Sequence, residues 1–497
     1  MRKFLVMCVL LCAAAVVCFA AGGKQGSETG SKNITIIFYG DKTDRMNQYM
    51  TTDFPAYIKQ RGLNINVDLQ MVSWGDYAGA PIELRYASGE DFATFTDQGF
   101  MGRCISKGYL CDLTGLIDKS APNVRKEIDA SSFDAFSFNG RNYALPIGNK
   151  PNASEWFAVT VRQDLLEEIG MKDIKTLDDL ERFYTEGVKL HPGYIGFGDG
   201  GPNDTYGSCQ MLSRYISDKN MLFLNEVVFT DASANNDQLY SYFESPEFKN
   251  YAAIAQRWNK MGIFDPQVIS NATIAGSKFD TGQAFFRKGN AGRAWENLDT
   301  VRNSAPGAKL KTYFMGDAKG RPLVSRGTYS TAVQISTNAK YPEAYLEIFN
   351  LLYADQQSYD FMTYGVKGVD YELDDSGKIT KRPTSQVFMY DWASNLASKW
   401  LRFESVVPDD VINDYRHWND GAILQKDIGF VFNLEPVKVE YAQIQSVISE
   451  YAIPIIYGFA DYDTAYPELL RRLKNAGIDK YMAEFQKQFT EFYKTKK

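Results

Sequence analysis

Histidine is almost missing from this chain: 497 residues contain two, His191 and His417. That excludes a multi-histidine metal site and catalytic schemes needing several imidazoles. A single-histidine triad survives the count, but there is no G-x-S-x-G and no H-E-x-x-H to support one. Walker-type loops are also absent. The glycine-rich run Gly196–Gly201 (GFGDGG) lacks the Lys-Ser/Thr ending that cradles phosphate, and it reads as a turn. No cofactor is implied. Basic charge is not in excess: 54 Lys and Arg stand against 61 Asp and Glu, for a net charge of -7. A general nucleic-acid binder normally shows a basic face, so that class is disfavoured. Cysteine is scarce, and beyond the first 21 residues only Cys104, Cys111 and Cys209 remain. In an oxidising compartment Cys104 and Cys111 can close a small loop, with Cys209 left over; buried free thiols fit equally well. After the N-terminus no apolar run reaches the roughly 18 residues a spanning helix needs.

The N-terminus has that missing apolar run. Arg2-Lys3 precedes an unbroken stretch from Phe4 to Ala21, the pattern of a secretory signal. Two exits are open. Cleavage after Ala20 or Ala21 releases a free protein. Alternatively Cys18, followed by a polar Gly/Ser/Glu tether, becomes a lipidated N-terminal cysteine, although Val17 departs from the small residue usual before it. Either exit places the protein outside the cytoplasm, periplasmic or on the outer face of the cell membrane.

The remaining composition, 44% hydrophobic with 31 Tyr and 32 Phe, is globular and rich enough in aromatics to line a groove. At about 100–200 residues per domain, two or three domains fit. After a polar linker over 22–32, Ile34–Tyr39 reads as a buried strand ending at Gly40-Asp41-Lys42. Arg45–Arg61 is a helix candidate interrupted by Pro55, and Ile65–Val72 is a second strand. Trp74-Gly75-Asp76-Tyr77 opens a helix reaching Ser88-Gly89, and Phe92–Thr96 is a third strand ending at Asp97-Gln98. This alternation predicts an open, mostly parallel α/β sheet, in which ligands sit at the carboxyl ends of strands. Asp41, Lys42, Asp97 and Gln98 all fall there. The pattern restarts at Trp156–Val161, which puts a lobe crossing near Gly148–Glu155. Helices follow over Asp164–Gly170, Thr176–Lys189 with Thr176 as cap, and Phe248–Met261, closing at Gly262. Lys311–Phe314 and Thr331–Ile335 are strands, separated by a turn-rich return over Gly316–Pro322, and Tyr341–Leu352 is a helix. The predicted organisation is a signal over 1–21, a first lobe from 33–150 and 327–380, and a second from 151–326 and 381–497 with a helical C-terminal extension.

The stretch Phe286–Thr300 (FRKGNAGRAWENLDT) is the sharpest candidate for ligand contact. Small residues at Ala291, Gly292 and Ala294 let backbone approach a ligand. Trp295 offers a flat apolar face and Glu296 a hydrogen-bond acceptor, a pairing that suits a sugar's C–H face and hydroxyl rim. A strand ending in a core Trp and a solvated Glu accounts for the same residues.

Taken in order, Gly40-Asp41-Lys42, Asp97, Tyr143-Ala144-Leu145-Pro146, Arg162-Gln163-Asp164-Leu165-Leu166 and Phe285–Thr300 resemble the bacterial extracellular solute-binding proteins of family 1. These are the sugar-binding subunits of ABC importers, related to maltodextrin-binding protein. The resemblance spans roughly Asn33 to Leu352. Beyond it, Tyr364–Gly368, Gly429–Val439 (GFVFNLEPVKV) and Asn475–Ile478 resemble a subset with a long C-terminal region. The resemblance implies a two-lobed periplasmic-binding-protein fold of type II. It implies that Asp41, Lys42 and Asp97 reach sugar hydroxyls, with Gln98 where a relative has Arg. Glu155 falls at a hinge carboxylate, Tyr206 at a second-lobe tyrosine, and Trp295 at the stacking platform. Tyr329, near the return crossing, is a further candidate, and Trp392, Trp400 and Trp418 are candidates for the aromatic that closes over ligand.

The expected function is capture of a carbohydrate, an oligosaccharide by the bulk of the chain, between hinged lobes of a monomer. Delivery is to the membrane permease subunits of an ABC transporter, with no catalysis. A solute-binding protein for a peptide, polyamine or other non-sugar is the alternative. A secreted glycoside hydrolase is the remote one, since it needs two carboxylates about 5–10 Å apart and nothing selects a pair.

Overall fold

The computed structural model describes residues 30–496 apart from 41, 74–75, 77–79, 97, 149, 316–319, 326–327, 330–331 and 382–398. Asp41, Asp97, Trp74, Trp392 and Cys18 therefore lie outside the described residues.

The first lobe is built on a five-stranded sheet. Lys32–Tyr39 has the apolar, β-branched run of a strand buried on both faces, and it lies parallel to Ile65–Val72 on one side and Ala93–Thr96 on the other. Ala332–Ile335 then pairs antiparallel with Ala93–Thr96, and Ala144–Pro146 closes the sheet beside it. Parallel neighbours release their chains at one edge, so Lys42 and the start of the Gln98–Ser106 helix share it. Pro55 does not end the helix before it: Asp44–Gln48 passes through a π-turn over Tyr49–Asp53 into Phe54–Gln60. A wider turn there absorbs the backbone bond that proline cannot donate.

The second lobe carries a four-stranded sheet in the order Leu310–Tyr313, Ala158–Arg162, Ala284–Gly289, Ile195–Phe197. It departs from the mostly parallel expectation. Ala158–Arg162 runs antiparallel to both its neighbours, and only Ala284–Gly289 with Ile195–Phe197 is parallel. The reason is topological: Ala158–Arg162 enters directly from the crossing rather than through a helix that returns to the sheet. Thr176 caps Leu177–Leu190 in a full capping box with Asp179, and Gly262 ends Pro246–Met261 in the left-handed region.

Between the lobes, Lys150-Pro151 pairs antiparallel with Thr328-Tyr329, and Val324-Ser325 pairs parallel with Ile423-Leu424. Asn419 Oδ1 accepts the backbone N–H groups of Asn152 and Ala153 at 2.9 Å, and the Trp418 indole donates to Ala153 O at 2.9 Å. Trp418 is thus crossing core, tilted on Phe314 at 4.5 Å. The C-terminal region is helical, as expected, but it divides between the lobes later than residue 380. Arg402 ion-pairs with Asp360 and Lys399 with Glu127, while Lys311 of the second lobe pairs with Asp410. Residues 399–402 accordingly contact the first lobe, and Phe403 already packs on Trp295 of the second. Helices Lys438–Val447, Tyr462–Asn475 and Ile478–Lys494 follow. No helix among the described residues is long and apolar enough to cross a membrane. Cys104, Cys111 and Cys209 are all free thiols, so the reading of buried free thiols holds for Cys104 and Cys209.

Candidate functional site

The site follows from the second sheet. Ile195–Phe197 and Ala284–Gly289 are parallel, so Asp199 and Lys288 emerge at one edge. Ala158 sits opposite Gly289, which brings Trp156, just before its strand, to the same edge. A cavity of about 610 Å³ opens there, lined among others by Trp156, Asp199, Gly200, Asp204, Tyr206 and Lys288, with Arg293 at its side. A second cavity of about 180 Å³ adjoins it and shares Trp156, Gln210 and Phe223; Glu155 and Ser154 lie on its wall. Trp156 therefore divides one groove into two compartments.

Ser154 and Trp156 hold φ values of +47° and +69°, which for bulky L-residues cost of order 1–3 kcal/mol and cluster at functional sites. The conformation is held by Trp156 N–H donating to Gly289 O at 3.1 Å. Arg293 lies over the Trp156 ring, 4.8 Å from its centroid, and gives one hydrogen bond to Asn297 Oδ1 at 3.3 Å. Its buried Nε has no acceptor among the described residues. Burial, and then the neighbouring Arg287, push the Arg293 guanidinium below its ordinary value.

Two ion pairs floor the cavity. Asp199 Oδ1 accepts Arg287 Nη2 at 2.6 Å, and its Oδ2 accepts the Lys288 amide at 2.7 Å. Lys288 Nζ reaches Asp204 Oδ2 at 2.8 Å. Burial pushes the Asp199 carboxyl up, but the positive charges of Arg287, Lys288 and Arg293 outweigh it and hold the group below the usual carboxylate range. Burial likewise pulls the Lys288 ammonium down, and Asp204 and Asp199 more than compensate. Asp199 is thereby held as an acceptor in the polar floor of the cavity.

The residues singled out in the sequence divide. Tyr206 lines the larger cavity, edge-on to Phe223 at 5.2 Å, and Glu155 lines the smaller. Lys42 is exposed just past the first strand; Gln98 opens its helix, and the Tyr329 backbone forms the crossing ladder. Trp295 is a correction: at 3% exposure it is core, edge-on to Phe403 and Tyr415 at 5.4 and 5.8 Å. Its carboxylate neighbour Glu296 ion-pairs with Lys150. Trp400 is half-buried beneath Lys399, 4.8 Å from its ring. Sequence reading missed Trp156, Asp199 and Asp204, while Lys288 and Arg293 fell inside the singled-out stretch Phe286–Thr300 without being named as contacts. The one available signal was Trp156 itself, an aromatic beside the Glu155 carboxylate at the predicted crossing.

Two α/β lobes joined by crossing strands, with a polar, aromatic groove at a sheet edge, form the architecture of a two-lobed binding-protein fold. The comparisons agree with the resemblance read in the sequence. The chain is 25% identical over 509 residues to a carbohydrate ABC transporter substrate-binding protein of Streptococcus pneumoniae, covering 97% of this chain and 98% of that one. It shares the fold of the N-glycan transport solute-binding protein NgtS of S. pneumoniae, with TM-score 0.77 at 22% identity over 94% of this chain and 100% of that one. Against NgtS in complex with Man5GlcNAc the TM-score is 0.68 at 22% identity, over 94% of this chain and 99% of that one. A human-milk-oligosaccharide-binding protein from Bifidobacterium longum infantis superposes at 0.61 with 15% identity, over 93% and 99% of the two chains. Residues 427–494 match a domain of unknown function, DUF3502.

Proposed function

We propose that this protein captures an oligosaccharide in the groove divided by Trp156 and presents it, lobes closed, to the permease of an ABC importer. The observation that carries the reading is Trp156: a large aromatic face held at φ +69° between two adjoining cavities with a charged, hydrogen-bonding floor. Such a face stacks on a sugar ring while Asp199, Asp204, Arg293 and Tyr206 meet its hydroxyls. Two compartments fit more than one sugar unit. The relatives' names, which specify carbohydrate, N-glycan and milk-oligosaccharide binding, point the same way. Lys42, Gln98, Asp41 and Asp97 at the first lobe's strand ends, with Tyr329 at the crossing, are the groups that meet the ligand from the opposite side on closure, and Glu155 meets it beside Trp156. Closure is then a population shift set by how much better the closed form binds. The protein acts as a monomer outside the cytoplasm, tethered through Cys18.

Catalysis is not part of this reading. A glycosidase needs one carboxyl able to donate a proton and a second nearby. Asp199 and Asp204, the cavity's acids, are each tied to a cation. Thermal unfolding of the mature protein against mono- and oligosaccharides, with peptides and polyamines as controls, tests the proposal. A raised midpoint with oligosaccharides that is lost in Trp156→Ala supports it. A rise only with peptides or amines replaces it with a non-sugar ligand, and sugar cleavage during incubation replaces it with an enzyme.

A further inference from the structure

The motif GFVFNL at residues 429–434, which ligand capture does not use, lies between the lobes. Ile428 is 8% exposed within a first-lobe cluster that includes Ile37, Tyr86, Phe92, Phe100 and Met101. Val431 fills a notch in the Gln98–Ser106 helix: a Cβ placed on Gly102 would lie 2.3 Å from Val431 Cγ1. The side chains between and beyond turn the other way. Phe430 packs at 5.6, 5.1 and 5.4 Å from Phe485, Phe489 and Phe492, and Phe432 stacks on Phe485 at 4.2 Å. Asn433 N–H donates to Gln488 Oε1 at 2.8 Å, and Gln488 Nε2 donates back to Asn433 O at 3.0 Å.

The helix that receives these contacts, Ile478–Lys494, is itself bound to the second lobe. Asn225 donates to Tyr481 Oη at 2.9 Å, Leu239 N–H donates to Gln486 Oε1 at 3.0 Å, and Gln486 Nε2 donates to Asp237 O at 2.7 Å. One short segment therefore presents Ile428 and Val431 to the first lobe and Phe430 and Phe432 to the second. The first-lobe helix it holds opens at Gln98, at the same sheet edge as Lys42. The contact coexists with an uncovered groove: the described residues lining the larger cavity, Trp156 to Arg293, all belong to the second lobe.

We propose that Ile428–Phe432 is a clasp between the lobes, with Val431 seated in the Gly102 notch as its first-lobe contact. The clasp sets the angle of the ligand-free protein, and the C-terminal domain is its anchor on the second lobe.

The test needs no ligand. Spin labels are placed through Leu84→Cys on the first lobe and Leu190→Cys on the second, sites 73% and 55% exposed, in a Cys111→Ser background. With the clasp intact, electron–electron resonance gives one narrow distance. With Ile428→Ser and Val431→Ser, in protein that still unfolds cooperatively, the distribution broadens and a second distance appears. An unchanged distribution overturns the proposal. A second, label-free check uses Gly102→Cys with Val431→Cys, whose Cβ atoms would lie 3.6 Å apart, inside the roughly 3.5–4.5 Å window for a disulfide. The bond should form to completion under native conditions and leave the scattering radius unchanged. Failure to form it in folded protein, or a changed radius, also overturns the proposal.

Discussion

Trp156 and Trp295 sit on the same lobe, each beside a glutamate, and they have opposite fates. Trp156 stands on a strained backbone at the mouth of two cavities, with Arg293 over one face. Trp295, two residues past Arg293, is enclosed by Phe403 and Tyr415. Glu155 borders a cavity, whereas Glu296 is bound to Lys150. Residue type and spacing are nearly the same in both places. What differs is whether another segment, here 403–415, arrives to cover the ring.

The largest effect that bears on this contrast is Trp295→Ala, expected to lower unfolding free energy by about 3–5 kcal/mol in denaturant titration, as for other buried Trp truncations. Trp295→Phe should be far milder, because the indole N–H it removes is buried without an acceptor among the described residues. If Trp295→Ala kept full stability and lost ligand binding, the two tryptophans would exchange roles. Next, Asp199→Ala strands Arg287 without its buried partner and should cost about 3 kcal/mol, read as a lower thermal midpoint.

Trp156→Ala is the sharpest probe. Saccharide affinity should fall about 30-fold, roughly 2 kcal/mol, by calorimetric titration. Stability should not fall with it, and Trp156→Gly should gain about 1 kcal/mol by relieving the left-handed backbone. A Trp156→Ala variant that loses stability and keeps affinity would make that residue the structural one. The smallest effect is in pH. The Asp199 carboxyl is held below its unfolded value of about 3.9, so its stabilising contribution is complete above that pH and is lost as pH falls through the folded value. Lys288 is raised, so its contribution is complete below about pH 10.4 and fades only above it. Melting curves from pH 7 to 3 should therefore decline more gently in Asp199→Ala than in the unaltered protein.

Much of the scaffold was legible because it is local. Lys32–Tyr39 and Ile65–Val72 appear where apolar periodicity put strands, and Thr176 and Gly262 bound their helices where capping chemistry put them. Strand direction in the second lobe was not legible, because it depends on which lobe a strand enters from. The groove was legible in part: Tyr206 and Glu155 border it, but its floor did not announce itself. Asp199 and Lys288 are 89 positions apart in the chain, and only the parallel pairing of Ile195–Phe197 with Ala284–Gly289 brings them together.

The sequence by itself determined the alternation of strands and helices and the caps that bound them. Both depend on side-chain periodicity and on chemistry within a few residues. Only the tertiary structure decided which tryptophan meets solvent, which acids are held by cations, and that a segment near the C-terminus reaches back to the first lobe. Exposure, desolvation and ion pairing are set by neighbours distant in the chain, and no local pattern encodes them.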